Sequence, residues 1–522
     1  MSIYALFGIE PEVQAYAMAR YSRSALSMRE SITELTAEKA EKFLTTFYFQ
    51  YGHRSIADLA HIPFAIEDIS ILAAMRVVDE QLWDGQERST RYQNFRAGKF
   101  VVPRELEEDR SALETFTKAC NALFAAYESL VVDLVPLFRE AHPRPEGMAE
   151  GDYTRTLRAR AFDIARGLLP LATRTSLGQI VSARTVETQI SRLLADPYKE
   201  VQDIGEALRA ACREPAQNPV LEKLLAGIDS EQVDALPEPQ RTSVKALLEH
   251  LRAPTASPTL VKYTEPSLYS RNVLDAVARI AAGLTTPESP DRSTPVALVP
   301  EETPEDEAVT TLLYHADPLG RSYRQIQRAL ADLQPEEKQR VLDVAMEHRG
   351  RHDDLLRELR TGYALKFDIL MDLGAFRDLH RHRRCVQIIQ DLTPNHGYDD
   401  PELVFQRGIA NTEMARRAKE TGLMGRYRST LDAAAEVVNT LSKISPQAAH
   451  YALPLAYRTR ALFKMDLAEA AYICEQRTAV TGHFSYRHVA WQMYQELQRA
   501  APTVARHLRV KDPNKVIDLL SR

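Results

Sequence analysis

A run of basic side chains in the second half of the chain could bind an anion. The run has the sequence RDLHRHRR and spans residues 377–384. In a helix, four of its side chains share one face: Arg377, His380, Arg381 and Arg384. Like charges at these spacings repel by roughly 0.2–0.5 kcal/mol per pair, so an anionic partner is expected nearby. A solvated basic face, or one paired with carboxylates elsewhere, explains the run equally well.

A second segment, Gln86 to Tyr92 in the first half, carries the side chains of a monophosphate cradle. In an extended segment Glu87, Ser89 and Arg91 point to one side. The hydroxyls of Ser89 and Thr90 can bond to phosphate, and the Arg91 guanidinium can grip it with two parallel hydrogen bonds. Glu87 repels phosphate, so it is expected to bind a hydroxyl or amide of the same ligand. A turn with a local salt bridge is the structural alternative.

These two segments belong to a duplicated chain. Residues 169–175 (LPLATRT) and 453–459 (LPLAYRT) agree at six of seven positions. Two further pairs of segments match in the same order: residues 4–7 with 296–299, and 52–54 with 347–349. A period this long is not that of a solenoid, and 522 residues exceed what a single core usually spans. We therefore predict two fused domains.

The bulk composition is that of a soluble globular protein. Hydrophobic residues make up 44% and charged residues 26% of the chain. The net charge of −6 gives no general attraction to nucleic acid or to a membrane surface. The four cysteines are Cys120, Cys212, Cys385 and Cys474. They form no CxxC pair, which disfavours a disulfide framework or a zinc site and suits a reducing cytosol. Because we find no signal peptide and no apolar run of about 18 residues, we expect a cytoplasmic protein that contacts neither membrane nor nucleic acid.

The pattern of apolar residues predicts an α+β fold with few strands and long helices. In domain 1–252 we expect strands at 3–7 and 60–66, an extended segment at 86–95, and helices from residue 11, at 37–51, 69–81, 106–137 and 154–194, and over much of 202–252. Pro63 places the second strand at a sheet edge or a bulge. Residues 253–295 are rich in proline and predict a linker with one short helix near 272–284. Domain 296–522 repeats the pattern, with a strand, a helix, a long helix near 336–359, a strand at 363–370 and helices to the end.

The two functional segments together resemble the flavin-dependent thymidylate synthases, the ThyX family, whose motif is RHRxxSxNExSxRY. Here the motif is split between the halves. Arg-His-Arg lies at residues 381–383 in the second half, where the phosphate-binding residues that should follow are missing. The first half keeps the later part of the motif at Glu87 to Tyr92, but residues 79–81 are Asp-Glu-Gln where the family has Arg-His-Arg. The losses are complementary, so one complete site could form from both halves.

The resemblance implies a role for each matching residue. For FAD binding these residues are Arg381, His382 and Arg383 of the motif, His53 and Ser55 of an upstream segment, and Arg184 of an altered Asn-x-Arg pair. For the substrate dUMP they are Glu87, Ser89, Thr90, Arg91, Arg166, Arg477 and Asp378, the last in place of the family glutamine. Arg477 and Arg381 are the implied catalytic groups, which would stabilise negative charge on the uracil or the flavin.

The resemblance also implies the reaction and the assembly. NADPH reduces FAD, methylenetetrahydrofolate supplies one carbon to C5 of dUMP, and the reduced flavin delivers hydride to give dTMP. Family members are homotetramers with small, mainly antiparallel sheets and long helices, and their sites draw residues from several subunits. A homodimer of this chain would mimic the tetramer, with one complete site per chain. At the other family positions Asp79, Glu80 and Gln81 would meet the altered segment 389–391, acid against acid.

Two other functions are compatible with the same residues. Asp378 favours a flavoenzyme of the same fold that acts on another nucleotide or pyrimidine. A non-catalytic scaffold that binds nucleotide or flavin is the third interpretation, and it would be indicated by scattered rather than complementary losses.

Overall fold

A computed structural model describes most of the 522 residues. The described residues are 10–20, 37–44, 54–93, 95, 99–251, 256–283, 289, 291–331, 333–347, 349–350, 353, 355–515 and 520. Two of the expected features, the strand at 3–7 and the flavin-side residue His53, lie outside these residues.

Helices dominate the described chain. In the first half they are α1 (Pro11–Arg20), α2 (Ala37–Leu44), α3 (Ile71–Val77), α4 (Arg110–Ala141), α5 (Glu150–Ala165), α6 (Ala183–Leu194), α7 (Lys199–Ala211), α8 (Pro219–Leu225), α9 (Ser230–Asp234) and α10 (Gln240–His250). They continue with α11 (Leu268–Gly283), α12 (Pro304–His315), α13 (Tyr323–Ala331), α14 (Pro335–Glu347), α15 (Leu373–Leu379), α16 (Pro401–Ile409), α17 (Thr412–Glu420), α18 (Leu423–Leu441), α19 (Pro446–Tyr451), α20 (Leu467–Arg477), α21 (Phe484–Ala500) and α22 (Pro502–Ala505). The helices predicted to start at residues 11 and 37 are confirmed.

Within the described residues, the first half contains a three-stranded antiparallel sheet. Its strands are β1 (His61–Ser70), β2 (Asp84–Glu87) and β3 (Arg174–Ser182), in the order β1-β3-β2. Among the described strands β1 is an edge, which allows it to contain Pro63 with little loss of ladder hydrogen bonds. The β1–β3 register also shifts between Ile66 and Ile69, as at a β-bulge. Among the described strands, Pro63 therefore has the predicted edge position.

The second half contains a four-stranded antiparallel sheet in the order β4-β5-β7-β6. Its strands are β4 (Val296–Leu298), β5 (Leu365–Asp372), β6 (Val386–Ile389) and β7 (Arg458–Met465). The central strands β5 and β7 are buried along almost their whole length, so both faces of this sheet are covered. Two small antiparallel sheets with long helices are the α+β fold that the sequence predicts.

Three strands lie where helices were expected. β3 interrupts the predicted helix 154–194, and β6 and β7 lie in the stretch after residue 370 that was expected to be helical. β3 and β7 each follow the repeated Leu-Pro motif and pair on both sides with strands that are distant in sequence, and β6 pairs with β7. The helix predictions were wrong here because strand formation depends on those partners, which local periodicity does not report.

The two halves meet around a local twofold axis at the repeated motif. The N–H of Leu171 donates to the Leu453 carbonyl at 2.9 Å, and the N–H of Leu455 donates to the Leu169 carbonyl at 2.9 Å. These residues are counterparts in the duplication, so each bond is the image of the other. Pro170 and Pro454 form an isolated antiparallel bridge at the centre. The duplicated motif therefore forms a contact between the two halves, and in each half it leads into a central strand of the sheet, β3 or β7.

The longest described helix, α4, packs in the core and contacts the second half. It contributes Phe116, Phe124 and Phe138 to a hydrophobic cluster that extends through both halves. Arg426 of α18 reaches Asp133 of α4 at 2.5 Å. By length and composition alone α4 is long and apolar enough to cross a membrane.

The Pro-rich segment between the halves contains the helix that was predicted near 272–284. This helix, α11, begins at Leu268, and its buried face includes Val273 and Val277. These side chains join a second hydrophobic cluster with Leu312 of α12 and Val341 of α14. Part of this segment is therefore packed against the second half.

Candidate functional site

The two halves of the split motif meet in one chain. β2 ends at Glu87, and α15, which begins after its cap Asp372, carries Arg377. Nη2 of Arg377 lies 3.0 Å from Oε2 of Glu87, and the two side chains are only 7% and 4% exposed. The later part of the motif, from the first half, therefore lies against the helix that leads to the Arg-His-Arg segment of the second half.

Arg166 of the first half and Asp378 of the second form a further contact between the halves. Arg166 lies in a 3-10 turn that follows α5, and its Nη2 is 3.0 Å from Oδ2 of Asp378. The Thr90 hydroxyl is 3.4 Å from Nη1 of the same guanidinium. Burial raises the pKa of Asp378, but attraction to Arg166, Arg91 and Arg381 outweighs it and lowers this pKa to about 2. Asp378 is therefore an anion at neutral pH.

Arg91, the expected phosphate ligand, is bonded inside the protein. Its Nε and Nη2 donate to the two carboxylate oxygens of Asp163 at 2.8 and 3.1 Å, and Nη2 also donates to the Thr481 carbonyl at 3.1 Å. The Tyr486 hydroxyl lies 3.4 Å from Nη1. The N–H of Arg91 donates to the hydroxyl of Ser89 at 3.2 Å.

The segment after Glu87 is a turn with a buried salt bridge, the structural alternative to the cradle. The strand ends at Glu87 and a turn begins at Thr90. The prediction of an extended segment to residue 95, with Glu87, Ser89 and Arg91 on one side, was therefore wrong beyond Glu87. Beyond the turn, Arg91 is buried and makes its bidentate pair with Asp163.

The basic run 377–384 is also divided. α15 ends at Leu379, so Arg377 and His380 are buried while Arg381 and Arg384 are exposed. The prediction that these four side chains share one helical face was wrong, because the helix does not continue. Pairing with carboxylates elsewhere, the alternative explanation of the run, is what the structure shows for Arg377.

His382 lies between a basic side chain, Arg477, and an acidic one, Glu469. Its Nε2 accepts a hydrogen bond from Nε of Arg477 at 2.7 Å, and its Nδ1 lies 3.3 Å from Oε1 of Glu469. The acceptor role of Nε2 assigns the proton of the neutral ring to Nδ1. Burial lowers the pKa of His382, with partial compensation by the hydrogen bond to Glu469. A neutral His382 thus fixes the orientation of Arg477, whose guanidinium also lies 5.5 Å from the Tyr486 ring centre.

Arg383 stacks on a tryptophan from the other half. Its guanidinium carbon is 4.1 Å from the Trp83 ring centre, and its Nη1 donates to the Arg381 carbonyl at 3.0 Å. The Nε and Nη2 atoms of Arg383 are buried without a hydrogen-bond partner among the described residues. Burial lowers the pKa of Arg383 to about 10. These two donors could satisfy an anionic or carbonyl group of a ligand.

Ser55 and Arg184, the other described residues implied for flavin, lie near one another at one end of the first sheet. Ser55 is exposed on a 3-10 helix, Arg54–Leu59, and Arg184 lies in the first turn of α6. Nη1 of Arg184 is 3.2 Å from Oδ2 of Asp58 in the same 3-10 helix.

The local twofold axis relates this site to an equivalent second position, where side chains of the protein fill the corresponding space. The N–H of Gly374 donates to the Leu455 carbonyl, and the N–H of its counterpart Leu72 donates to the Leu171 carbonyl. A β-carbon on Gly374 would lie 3.3 Å from Nη2 of Arg166. Glycine at 374 therefore makes room for that guanidinium, whereas Leu72 is buried in the core at the second position.

A second pair of counterparts follows the same pattern. Gly167 accepts from the N–H of Ala456, and its counterpart Tyr451 accepts from the N–H of Ala172. Tyr451 is fully buried. At the first position a cavity opens between the halves, lined by Asp163, Arg166, Gly167, Asp372, Gly374, Asp399, Tyr427, His483 and Ser485 with neighbouring apolar side chains. Tyrosine and leucine occupy the corresponding places at the second position.

The acidic side chains at the second position, Asp79 and Glu80, pair with arginines and not with other acids. Both carboxylate oxygens of Asp79 accept from Arg357 at 2.6 Å, and Oε1 of Glu80 is 2.8 Å from Nε of Arg192. Burial raises the pKa of Asp79, but the Arg357 guanidinium outweighs it and holds this pKa below its ordinary value. The expectation of acid against acid was therefore wrong, since arginines of both halves neutralise these groups.

The sequence analysis did not identify several side chains that the structure places at the site. Asp372 caps α15 by accepting from the N–H of Ala375 at 2.8 Å, and it also accepts from the Ser485 hydroxyl. An aspartate immediately before a helix is a recognisable cap, so this role had a sequence signal. Asp163 and Glu469 had no such sequence signal. Their roles follow only from their contacts with Arg91 and His382 in the folded chain.

The chain is similar in sequence to several known proteins. A protein of Chlamydia muridarum described as a UPF0159 protein is 27% identical over 544 aligned residues, which cover 98% of this chain and 92% of that protein. A flavin-dependent thymidylate synthase of Clostridium tetani is 24% identical over 176 residues, covering 34% of this chain and 67% of that enzyme. Among solved structures, ThyX of Helicobacter pylori complexed with FAD and dUMP aligns with 39% of this chain and 89% of its own, at 16% identity and a TM-score of 0.24.

The family model described as thymidylate synthase complementing protein, Thy1, matches the chain twice. The matches cover residues 8–216 and 302–503, one on each side of the Pro-rich segment. Two matches in one chain agree with the internal duplication and with the two sheets. The chain therefore belongs to the Thy1 family, the family of the flavin-dependent thymidylate synthases, as a tandem-duplicated member.

Proposed function

We propose that this protein is a flavin-dependent methyltransferase that acts on C5 of a uracil substrate at one composite site per chain. The observation that carries the proposal is the buried contact between Glu87 and Arg377, which joins the two separated parts of the family motif. The specific reaction we propose to test first is the methylation of dUMP to dTMP with methylenetetrahydrofolate and NADPH. A cytoplasmic homodimer with two such sites is the proposed working form.

The residues at the site fit a bound FAD. The buried, partnerless donors of Arg383 and the exposed cation of Arg381 suit an anionic or carbonyl group of the cofactor. Ser55 and Arg184 are the proposed contacts at the end of the first sheet. Bound FAD would supply the hydride chemistry, while the protein supplies orientation and electrostatics.

The chain's own groups have separate tasks in this proposal. The pair of Glu469 and His382 orients Arg477, so that its guanidinium can stabilise negative charge that develops on a uracil oxygen. Glu87 is available to accept from a ligand hydroxyl or amide while it keeps Arg377 neutralised. The four described cysteines are buried, and burial raises the pKa of their thiols, which agrees with a mechanism that needs no thiolate nucleophile.

A second candidate function is favoured by the ion pair of Arg166 with Asp378. The family glutamine accommodates a ligand without adding charge, whereas Asp378 neutralises the arginine. The second candidate is therefore a flavoenzyme of the same fold that acts on a different pyrimidine substrate.

The first experiment is the absorption spectrum and ligand content of the purified full-length protein. We expect a yellow protein that contains FAD and loses most of it in Arg383→Ala, because that change removes the partnerless donors. Arg104→Ala, which breaks an exposed pair with Asp203, is the matched control and should keep its FAD. A colourless protein that FAD cannot reconstitute would instead support a scaffold. Formation of dTMP from dUMP then distinguishes the main proposal from the second candidate.

A further inference from the structure

A buried arginine that has no role in the proposed function so far lies beside Arg91. Arg487 belongs to the first turn of α21 and is only 3% exposed. Its Nε donates to the Thr478 carbonyl at 3.2 Å, whereas its Nη2 is buried without a hydrogen-bond partner among the described residues. Burial lowers the pKa of Arg487, Tyr486 opposes this effect, and the positive charge of Arg91 adds to it. Arg487 is therefore a buried cation close to a second cation.

No acid of the described chain forms an ion pair with Arg487. The carboxylate of Asp163, the acid bonded to Arg91, already contacts two guanidinium groups, since Nη1 of Arg160 lies 3.6 Å from its Oδ2. A guanidinium does not lose its proton inside a protein, and a buried charge is costly unless it is paired. An anion from outside the chain is therefore expected to complete the surroundings of Arg487.

The segment 478–487 brings the positive charge together around Tyr486. The guanidinium carbons of Arg91 and Arg477 lie 6.0 and 5.5 Å from the Tyr486 ring centre. Nη2 of Arg91 also donates to the Thr481 carbonyl of this segment at 3.1 Å. Among the described residues Arg477, like Arg487, has no ion pair with an acid. Because Arg91 is the arginine that the resemblance implies for the phosphate, Arg487 lies at the phosphate end of the proposed site.

We propose that Arg487 is a further substrate-binding residue, which donates from Nη2 to the phosphate of a uracil nucleotide beside Arg91 and makes the site select the nucleotide over the nucleoside. This inference rests on the proposed function and adds to it a residue outside the RHRxxSxNExSxRY motif. The phosphate supplies the counter-charge that the chain does not. Without nucleotide the buried cation has no partner, so the free protein is less stable than it would be with an apolar side chain at this position.

The first test is calorimetric titration of the flavin-loaded, full-length protein with dUMP and with deoxyuridine. We expect the wild type to bind dUMP at least about tenfold more tightly. In Arg487→Gln, dUMP affinity should fall by about tenfold or more, as for a lost hydrogen bond to a charged group, while deoxyuridine affinity changes by less than about threefold. Arg487→Lys should recover part of the loss, because it keeps the charge but not the fork geometry. Arg104→Gln, in an exposed pair with Asp203, is the matched control and should change neither affinity.

The second test is the urea midpoint of unfolding of the nucleotide-free protein. Arg487→Met should have a midpoint equal to or higher than that of the wild type, because it removes a buried charge that has no counter-charge. Saturating dUMP should then raise the midpoint of the wild type more than that of the variant, since a ligand stabilises the folded state in proportion to its affinity. A midpoint that falls in Arg487→Met, with an unchanged ratio of dUMP to deoxyuridine affinity, would show a structural arginine and overturn the inference.

Other outcomes separate the inference from the proposed function. Equal losses of dUMP and deoxyuridine affinity in Arg487→Gln, or no loss of either, would overturn the inference and leave the proposed function intact. Loss of FAD from Arg487→Gln would do the same, because it would assign this cation to the cofactor. A flavin-loaded wild type that binds dUMP no more tightly than deoxyuridine would overturn the inference even if no variant folds. Wild-type protein that cannot hold flavin at all would instead overturn the proposed function.

Discussion

Arg377 and Glu87 are 290 positions apart in the chain, yet Nη2 of one lies 3.0 Å from Oε2 of the other in a buried ion pair. The pair links the helix that leads to the second half's Arg-His-Arg segment with the first-half segment that holds the later part of the family motif. It is a buried contact between the halves, and in the proposed function it joins the two parts of one site. Its energetic and functional consequences can be measured separately.

We predict that Glu87→Gln destabilises the protein by about 3–5 kcal/mol, because it leaves the Arg377 charge buried without a counter-charge. The urea midpoint of unfolding measures this loss. The double variant Glu87→Leu with Arg377→Met should recover most of it, since no charge is then stranded. Asp203→Asn, which breaks an exposed pair, should cost no more than about 1 kcal/mol. Equal small losses in the buried and exposed variants would show that the buried pair does not hold the halves together.

We predict that Gly374→Ala weakens dUMP binding without removing FAD. The new β-carbon would lie 3.0 Å from Oδ1 of Asp372 and 3.3 Å from Nη2 of Arg166, so the guanidinium must move. Overpacking of this kind typically costs about 1–3 kcal/mol of stability. Gly425→Ala is the control, because its β-carbon would meet nothing within 4 Å and alanine favours the helix by roughly 0.5–1 kcal/mol. Unchanged dUMP affinity in Gly374→Ala would place the substrate away from Arg166.

We predict that Asp372→Asn stabilises the protein at pH 7 but not at pH 4. Burial raises the pKa of Asp372 from 3.8 to about 6, against the opposing effects of Arg166 and Ser485. Between these two values the folded state binds more protons than the unfolded state, so the free energy of unfolding falls as pH rises. A shift of this size corresponds to about 3 kcal/mol, and asparagine keeps the helix cap.

The measurement for Asp372 is the unfolding midpoint of both proteins at pH 4 and at pH 7. The variant's advantage should be close to its full value at pH 7 and near zero at pH 4, where wild-type Asp372 is mostly protonated. An advantage of the same size at both pH values would mean that Asp372 does not titrate in this window.

We predict one FAD per chain, and two per homodimer, although the chain contains two copies of the family fold. Leu72 and Tyr451 are buried where the open site has Gly374 and Gly167, and Arg357 already neutralises Asp79. Flavin absorbance against protein concentration, combined with mass measurement in solution, gives the stoichiometry. Two FAD per chain would contradict the assignment of the second position as closed.

Much of the organisation followed from local sequence alone. The duplication and the complementary losses are matters of residue identity and spacing, so they needed no structure. Helix starts at Pro11 and Ala37, and the edge position of Pro63 among the described strands, depend on backbone properties of a few neighbouring residues. These features were predicted correctly because the forces that fix them act over one or two turns of chain.

Tertiary structure alone decided which side chains remain available at the site. The strands β3 and β7 form because distant strands lie on both sides of them, and α15 ends at Leu379 although the basic run continues. Arg91 and Asp163 are 72 positions apart, and Arg166 and Asp378 are 212 apart. No local pattern reports such pairs, because a buried charge is matched by whichever acid the fold brings to it. The sequence therefore predicted one composite site, and only the fold showed that its two expected phosphate ligands, Arg91 and Arg166, are paired with acids inside the protein.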